Sequence, residues 1–295
     1  MLGPDQEIAM SRIVYVNGRY VAHRAGHVHV EDRGLQFADG VYEVCEVRNG
    51  RLIDETRHMA RLAQSLAELS MRPALGHAAL AIVMREVVAR NRVVTGMVYV
   101  QMTRGAAPRD FAFPPAAVRG TVIVTARAMD AAKARANAAT GVAVITMPDQ
   151  RWTRRDIKSV SLLPNVLAKQ AARACGAFEA WLVDASGHVT EGASSNAWIV
   201  TAGGDIVTRA PSHDILRGIT RASLLDVMQR QSLRLVERPF TVAEARSARE
   251  AFLSSATNIA LPVVSIDGCP VGNGRPGPIV ALLRSHFHDI AEIGW

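Results

Sequence analysis

Lysine is almost missing from this sequence. Lys133, Lys158 and Lys169 are the only three among 34 lysines and arginines together, so arginine carries nearly every positive charge. Cysteine is scarce as well. Cys45, Cys175 and Cys269 are too few, and odd in number, for a disulfide framework, and no C-x-x-C spacing offers a zinc site. A reducing cytoplasm is the compartment expected for such a chain. Aromatic residues make up 5%, leaving few platforms on which bases could stack. No apolar run approaches the roughly 18 residues of a membrane span. The N-terminal stretch MLGPDQEIAMSR also lacks the basic and apolar blocks of a signal peptide.

What is present is ordinary for an enzyme: 295 residues, 49% hydrophobic and 21% charged, long enough for two domains. The net charge of +7 raises the class of nucleic-acid binders. Against that class, the arginines are spread along the chain and no helix-turn-helix or zinc signature appears. A broad positive field equally attracts small anions. Neither a nucleic acid, a membrane nor a metal is therefore expected as a partner.

Residues 12–55 read as short strands with hairpin signals at Asn17-Gly18 and Asn49-Gly50. Thr56 to Leu69 and Ala79 to Arg90 have helical spacing. MVYVQMTRG and GTVIVTARAM then read as strands. The polar, alanine-rich stretch 132–140 has no convincing apolar face and is expected to link two domains. GVAVITMP opens the second half as a strand, followed by a helix from near Pro164 to Gly176. EAWLVDASGHVTEG reads as a hairpin, Thr220 to Leu233 as a helix, 250–268 as the last strands, and a closing helix starts near Pro278. The expectation is a mixed α and β (α+β) fold. A smaller N-terminal domain covers 1–131, the linker 132–140, and a larger C-terminal domain 141–295, with a ligand cleft between the domains.

Against the arginine background, Lys158 in RWTRRDIKSVSLLPNV is conspicuous. Only lysine can lose its proton near neutral pH and attack a carbonyl. Apolar neighbours (Ile157, Val160) and nearby cations (Arg151, Arg154, Arg155) favour that loss. By itself the residue is either a stray surface charge or an amine kept for Schiff-base chemistry. Downstream, in HVTEGASSNAWIV, Glu191 follows a turn and leads into an apolar strand. It is either a turn acid or a carboxylate able to salt-bridge a protonated pyridine nitrogen, as pyridoxal chemistry needs.

Together the segments DIKSVSLLPNVLAKQ (156–170) and TEGASSN (190–196) resemble the class IV (fold type IV) pyridoxal-phosphate aminotransferases, most nearly the D-amino-acid branch. The likeness runs from about Tyr15 to Arg284 and includes EDRGLQFADGVYEV, TRHMARL, TRGAAPRDFAFP and ILRGITRASL. It implies pyridoxal 5'-phosphate on Lys158 with Glu191 at the pyridine nitrogen. Arg61, Ile219 and Thr220 are implied around the phosphate, with Ser194, Ser195, Leu216, Ser255 and Thr257 as further cofactor contacts. The branch commonly has threonine where Ala256 stands here, which puts that contact in question. Tyr42 and Val44 are implied to line the substrate site. Arg109 is implied to reach the neighbouring subunit of a homodimer and bind the substrate carboxylate.

The family pattern has a histidine where this chain has Phe111. Losing that donor is expected to weaken the hold on small polar amino acids and favour apolar substrates or amines. The implied activity is transamination between a D-amino acid and a 2-oxo acid such as 2-oxoglutarate or pyruvate, with ping-pong kinetics. A branched-chain L-amino-acid transaminase, an (R)-amine transaminase and aminodeoxychorismate lyase are the alternatives on the same fold. GNGRPG (272–277) satisfies G-x-G-x-x-G, but its prolines and its place near the C-terminus argue against a dinucleotide site. The pairs His27/His29 and His286/His288 lack a nearby third ligand. Lys133 and Lys169 are expected to be solvated.

Overall fold

A computed structural model describes residues 12–294; most of the stretch read above for a leader lies outside the described residues. The chain divides into two compact units. Among the described residues the first takes 12–129, 157–161 and 292–294, and the second takes 130–156 and 162–291.

The first unit contains β1 (Ile13–Val16), β2 (Arg19–Ala22), α1 (Arg33–Phe37), β3 (Gly40–Arg48), β4 (Arg51–Leu52), α2 (Glu55–Glu68), α3 (His77–Arg90), β5 (Thr95–Thr103) and β6 (Thr121–Ala128). Its six strands form one antiparallel sheet in the order β2-β1-β6-β5-β3-β4. Both expected hairpins are present. Asn17-Gly18 and Asn49-Gly50 have positive φ at both residues, as two-residue turns that match strand twist require. Along β3, Val41, Cys45 and Val47 point inward with period two and pack on Met59, Leu62 and Leu66 of α2. Tyr42, Val44 and Glu46 alternate onto the other face.

The second unit contains α4 (Ala131–Thr140), β7 (Val142–Pro148), α5 (Leu163–Ala174), β8 (Glu179–Val183), β9 (Val189–Gly192), β10 (Asn196–Val200) and β11 (Ile206–Thr208). It continues with α6 (Ile219–Arg230), β12 (Leu235–Glu237), α7 (Val242–Ser247), β13 (Glu250–Ser255), β14 (Ile259–Ile266), β15 (Cys269–Pro270) and α8 (Pro278–Ile290). Its nine strands form a mixed sheet, parallel at β11–β12, β14–β7 and β7–β8. The strands β9, β10 and β11 are buried at every position, as expected of a sheet covered on both faces.

Two features depart from the sequence-based expectation. Residues 132–140 are not a bare connector: they fall within helix α4, and the unit boundary lies at Met129/Asp130. The Asp130 side chain caps that helix at the Lys133 amide, 2.9 Å, and alanine propensity supports it without an apolar face. The short run 157–161 belongs with the first unit although its flanks belong to the second. Its anchor is Ile157, buried in the first core.

Candidate active site

Lys158 hangs on the open edge of β3. Its carbonyl accepts from the Tyr42 amide at 2.9 Å, the Val160 amide donates to Gly40 O at 3.0 Å, and the Lys158 amide donates to Ser65 Oγ at 3.3 Å. Main-chain bonds on both sides fix where the side chain starts. Its Nζ lies 4.3 Å from the centroid of the Tyr42 ring, within cation–π range. Tyr42 stacks on Tyr99 at 5.6 Å, and the Tyr99 hydroxyl donates to Gln101 Oε1 at 2.8 Å. Burial, helped by Tyr42, pushes the Tyr99 phenol up to about 12, so it remains a neutral donor. The lysine thus rests on a two-tyrosine stack, with Val44 on the same strand face.

Arg61 is not the solvated helix charge that bare sequence suggests. It is buried and forms a two-pronged pair with Glu43, Nε to Oε1 at 2.8 Å and Nη2 to Oε2 at 3.0 Å. His58, one helical turn earlier, places Nδ1 2.5 Å from Glu43 Oε2. Burial pushes the Glu43 carboxyl up, but the Arg61 charge and the His58 bond outweigh it and bring the group down to about 2. Burial also holds the His58 pKa below its ordinary value, against the pull of Glu43.

The sign of both shifts is the same: the unfolded chain binds more protons. For His58, stability is full above its ordinary 6.5 and is lost as pH falls below it. For Glu43, stability is full above 4.5 and is lost as pH falls toward about 2. Glu43 alone corresponds to about 3 kcal/mol across that lower window. Urea midpoints are expected to fall from pH 6.5 downward, and His58→Gln to flatten the upper part of that decline only. A wild-type midpoint constant from pH 7 to 4 would contradict this.

Arg109 and Phe111 lie on an exposed loop that folds over Phe37. The Arg109 guanidinium is 4.8 Å from the Phe37 ring centroid, and the Phe111 ring is 5.5 Å from it. Buried Arg33 clasps this loop, donating to Asp110 O at 2.6 Å and Phe111 O at 3.4 Å, while Asp39 holds its Nε at 2.8 Å. Phe111 itself is 83% exposed.

In the second unit Glu191 is the centre of a buried cluster. It pairs with Arg151 Nη1 and accepts from Asn196 Nδ2 at 2.9 Å and from the Leu216 amide at 3.1 and 3.2 Å. Burial raises the Glu191 carboxyl, opposed by Arg151 and these bonds. Asp149 takes the other side of Arg151, at 2.9 Å from Nε and 2.7 Å from Nη2. The three arginines expected to act as cations on Lys158 are each paired instead: Arg151 as above, Arg154 with Asp156, and Arg155 with Asp149 and Asp214.

Asn196 also donates to Leu216 O at 3.0 Å, tying the 214–218 loop down just before α6. A side chain at Gly218 would meet Asn196 Oδ1 at 2.2 Å, so glycine is required there. Helix α6 therefore begins at Ile219–Thr220 with no side-chain cap and no acidic residue in its first turn. The α8 start offers a contrast. Glu250 accepts from the Ile279 and Val280 amides at 3.2 and 3.0 Å, and Gly277 is glycine because Glu250 fills the space beside it. The GNGRPG run thus leads into a helix start already satisfied by a carboxylate.

Ser194 Oγ donates to the buried Glu179 at 2.6 Å and Ser195 Oγ at 3.3 Å, so both hydroxyls are committed to that carboxylate, Ser195 from a buried position and Ser194 from an exposed one. Lys169 is anchored too, with Nζ 2.6 Å from Phe178 O and 3.3 Å from Glu179. The Ser255–Ile259 turn is closed by the Asn258 amide donating to Ser255 O at 3.1 Å and by its side chain donating to Ser255 Oγ at 2.9 Å. Ile259 has φ +60°, a strained value for a β-branched residue. Ala256 and Thr257 form the tip of this turn. Among the described residues no group of three or more His, Cys, Asp or Glu is placed to hold a metal ion.

Sequence reasoning missed Glu43, His58, Tyr99, Arg151 as partner of Glu191, Glu179 and Arg33. Glu43 carried a signal: a charge at an inward position of a period-two strand demands a buried partner. The pairs 40 residues apart carried none.

The family profile described as Amino-transferase class IV matches residues 40–266. D-alanine aminotransferase of Bacillus licheniformis is 40% identical over 276 residues, covering 94% of this chain and 96% of that protein. The Staphylococcus haemolyticus D-alanine aminotransferase is 36% identical over 279 residues, 95% of this chain and 98% of that one. In fold, the chain matches a branched-chain amino acid aminotransferase of Escherichia coli with a TM-score of 0.86 at 23% identity, covering 95% and 94% of the two chains. It matches a branched-chain aminotransferase of Thermoproteus uzoniensis with a TM-score of 0.82 at 22% identity, covering 97% and 100%.

Proposed function

Because the chain belongs to the class IV aminotransferases, we propose that it moves the amino group of a D-amino acid of the D-alanine type to a 2-oxo acid such as pyruvate or 2-oxoglutarate. The observation that carries the reading is Lys158, a rare lysine fixed by main-chain bonds and set over an aromatic stack. The D-alanine aminotransferases at 36–40% identity support the D-amino-acid branch.

Pyridoxal 5'-phosphate, when bound, supplies an electron sink that lets a proton leave the substrate Cα. The donor set suits it. Glu191 is a buried carboxylate able to stay beside a pyridinium N–H, and Leu216 and Asn196 hold it still. Arg61 offers a guanidinium, and the uncapped start of α6 at Ile219 and Thr220 offers amides, both suited to a phosphate. The Ser255–Thr257 turn adds main-chain donors where Ala256 has no hydroxyl, while Ser194 and Ser195 act through Glu179, shaping the chain next to Asn196.

Lys158 would take the Cα proton as a base and, as an acid, deliver it to the carbon on the far side of the transferred nitrogen. Tyr42 and Val44 line the substrate side of β3. Arg109 receives the carboxylate from the neighbouring subunit of a homodimer; its exposure supports that role. Exposed apolar side chains support association of two copies: Val30, Leu35 and Phe111 in the first unit, and Leu163, Val166 and Leu167 along one stripe of α5 in the second. The cytoplasmic reading is supported by three free cysteines, one buried and two exposed. No described helix is long and apolar enough to cross a membrane.

The test is the cofactor's visible band in purified protein after adding D-alanine, L-leucine or an (R)-arylalkylamine separately. Conversion to the amine form by D-alanine is the expected result. Conversion by L-leucine alone would move the protein to the branched-chain group. Conversion by the amine alone would overturn the D-amino-acid reading and make Phe111 the decisive departure.

A further inference from the structure

We propose that Glu43 and His58 are positioning residues for the phosphate site: they hold the Arg61 guanidinium in its binding orientation before any anion arrives. This rests on the reading above, in which Arg61 receives the cofactor phosphate. Burial of a full carboxylate is what needs explaining. Glu43 is 0% exposed, His58 3% and Arg61 9%, and a buried ion pair rarely stabilises a fold better than apolar side chains of similar size. Inward neighbours Val41 and Cys45 show that the same strand face accepts apolar residues.

The geometry suits orientation. Glu43 takes Nε and Nη2, one edge of the arginine fork, and so fixes the plane of the guanidinium as well as its position. His58 lies on the same face of α2, three residues before Arg61, and its Nδ1 is 2.5 Å from Glu43 Oε2. With the imidazole neutral, that nitrogen carries the proton and donates it, so Glu43 cannot swing away. Arg61 donates in turn to both Glu43 oxygens. One carboxylate, one guanidinium and one neutral ring sum to zero charge, so the cluster persists in the dry interior without a ligand. Arg61 then meets an incoming phosphate already ordered, and the orientation entropy is not charged to binding.

The experiment measures, for the full chain freed of cofactor, dissociation constants for pyridoxal phosphate and for pyridoxal, which lacks the phosphate. The ratio of the pyridoxal constant to the pyridoxal phosphate constant isolates the phosphate contribution, which a general loss of stability does not change. Glu43→Gln is expected to lower that ratio at least about tenfold, and in an Arg61→Leu background to have no further effect on it. An unchanged ratio in Glu43→Gln while Arg61→Leu lowers it would overturn this inference and leave the phosphate reading standing. An unchanged ratio in Arg61→Leu would remove the phosphate reading itself. Should Glu43→Gln fail to fold, His58→Leu tests the link one bond further out. It is expected to lower the ratio about threefold, with His58→Gln restoring it by supplying an amide donor. No change in His58→Leu would count against the proposal.

Discussion

Lys158→Arg is expected to lower transamination by at least about 10³-fold while leaving stability within about 1 kcal/mol of the parent. The substitution keeps the positive charge, the length and the place over the Tyr42 ring, 4.3 Å from Nζ in the parent. It removes only the ability to become a neutral amine. The backbone anchors at Tyr42, Gly40 and Ser65 do not involve the side chain, which is why the fold should survive. Single-turnover conversion of stoichiometric D-alanine, followed in the visible band, separates the chemical step from binding. A rate within tenfold of the parent would mean that another group moves the Cα proton, and the rarity of lysine in this chain would then be compositional only.

The residues legible in the sequence are those whose chemistry is local. Asn17-Gly18 and Asn49-Gly50 declare their turns because few other pairs tolerate two positive φ values in succession. Helix α5 is bracketed by Pro164 near its start and Gly176 (φ +70°) after its end. The motifs around Lys158, Glu191, Arg61 and Thr220 were legible through family likeness.

What was hidden depends on distant pairing. That 157–161 packs with β3 follows from Ile157 entering a core whose other buried members, Tyr15 to Ala126, lie 31 to 142 residues earlier, which no local window reveals. Helix α4 was hidden for the opposite reason. Its signal is an aspartate cap and alanine propensity, and an apolar stripe was the feature sought. The Arg151–Glu191 pair needs β7 and β9 brought together through β8, so an arginine that reads as one more cation beside Lys158 is a counter-ion to the carboxylate instead.

That counter-ion shapes the second large effect. Glu191→Gln is expected to lower kcat by about 10² to 10³-fold, because a charge placed where the reaction needs it is lost from a water-poor site. Stability should fall by only about 1–3 kcal/mol. The reason for the modest figure is Asp149. It keeps Nε and Nη2 of Arg151 at 2.9 and 2.7 Å, so the guanidinium is not left as an unpaired buried charge. The amide is nonetheless a poor replacement. The parent carboxylate only accepts, from Arg151, Asn196 and the Leu216 amide, and a glutamine NH2 would face a donor whichever way it turns. Measuring kcat beside the thermal midpoint distinguishes the two roles of this residue. A large fall in kcat with a small fall in midpoint identifies Glu191 as the electrostatic partner of the cofactor ring. A lowered midpoint with unchanged kcat would reduce it to an anchor for the 214–218 loop, and the proton at the pyridine nitrogen would then need a different acceptor.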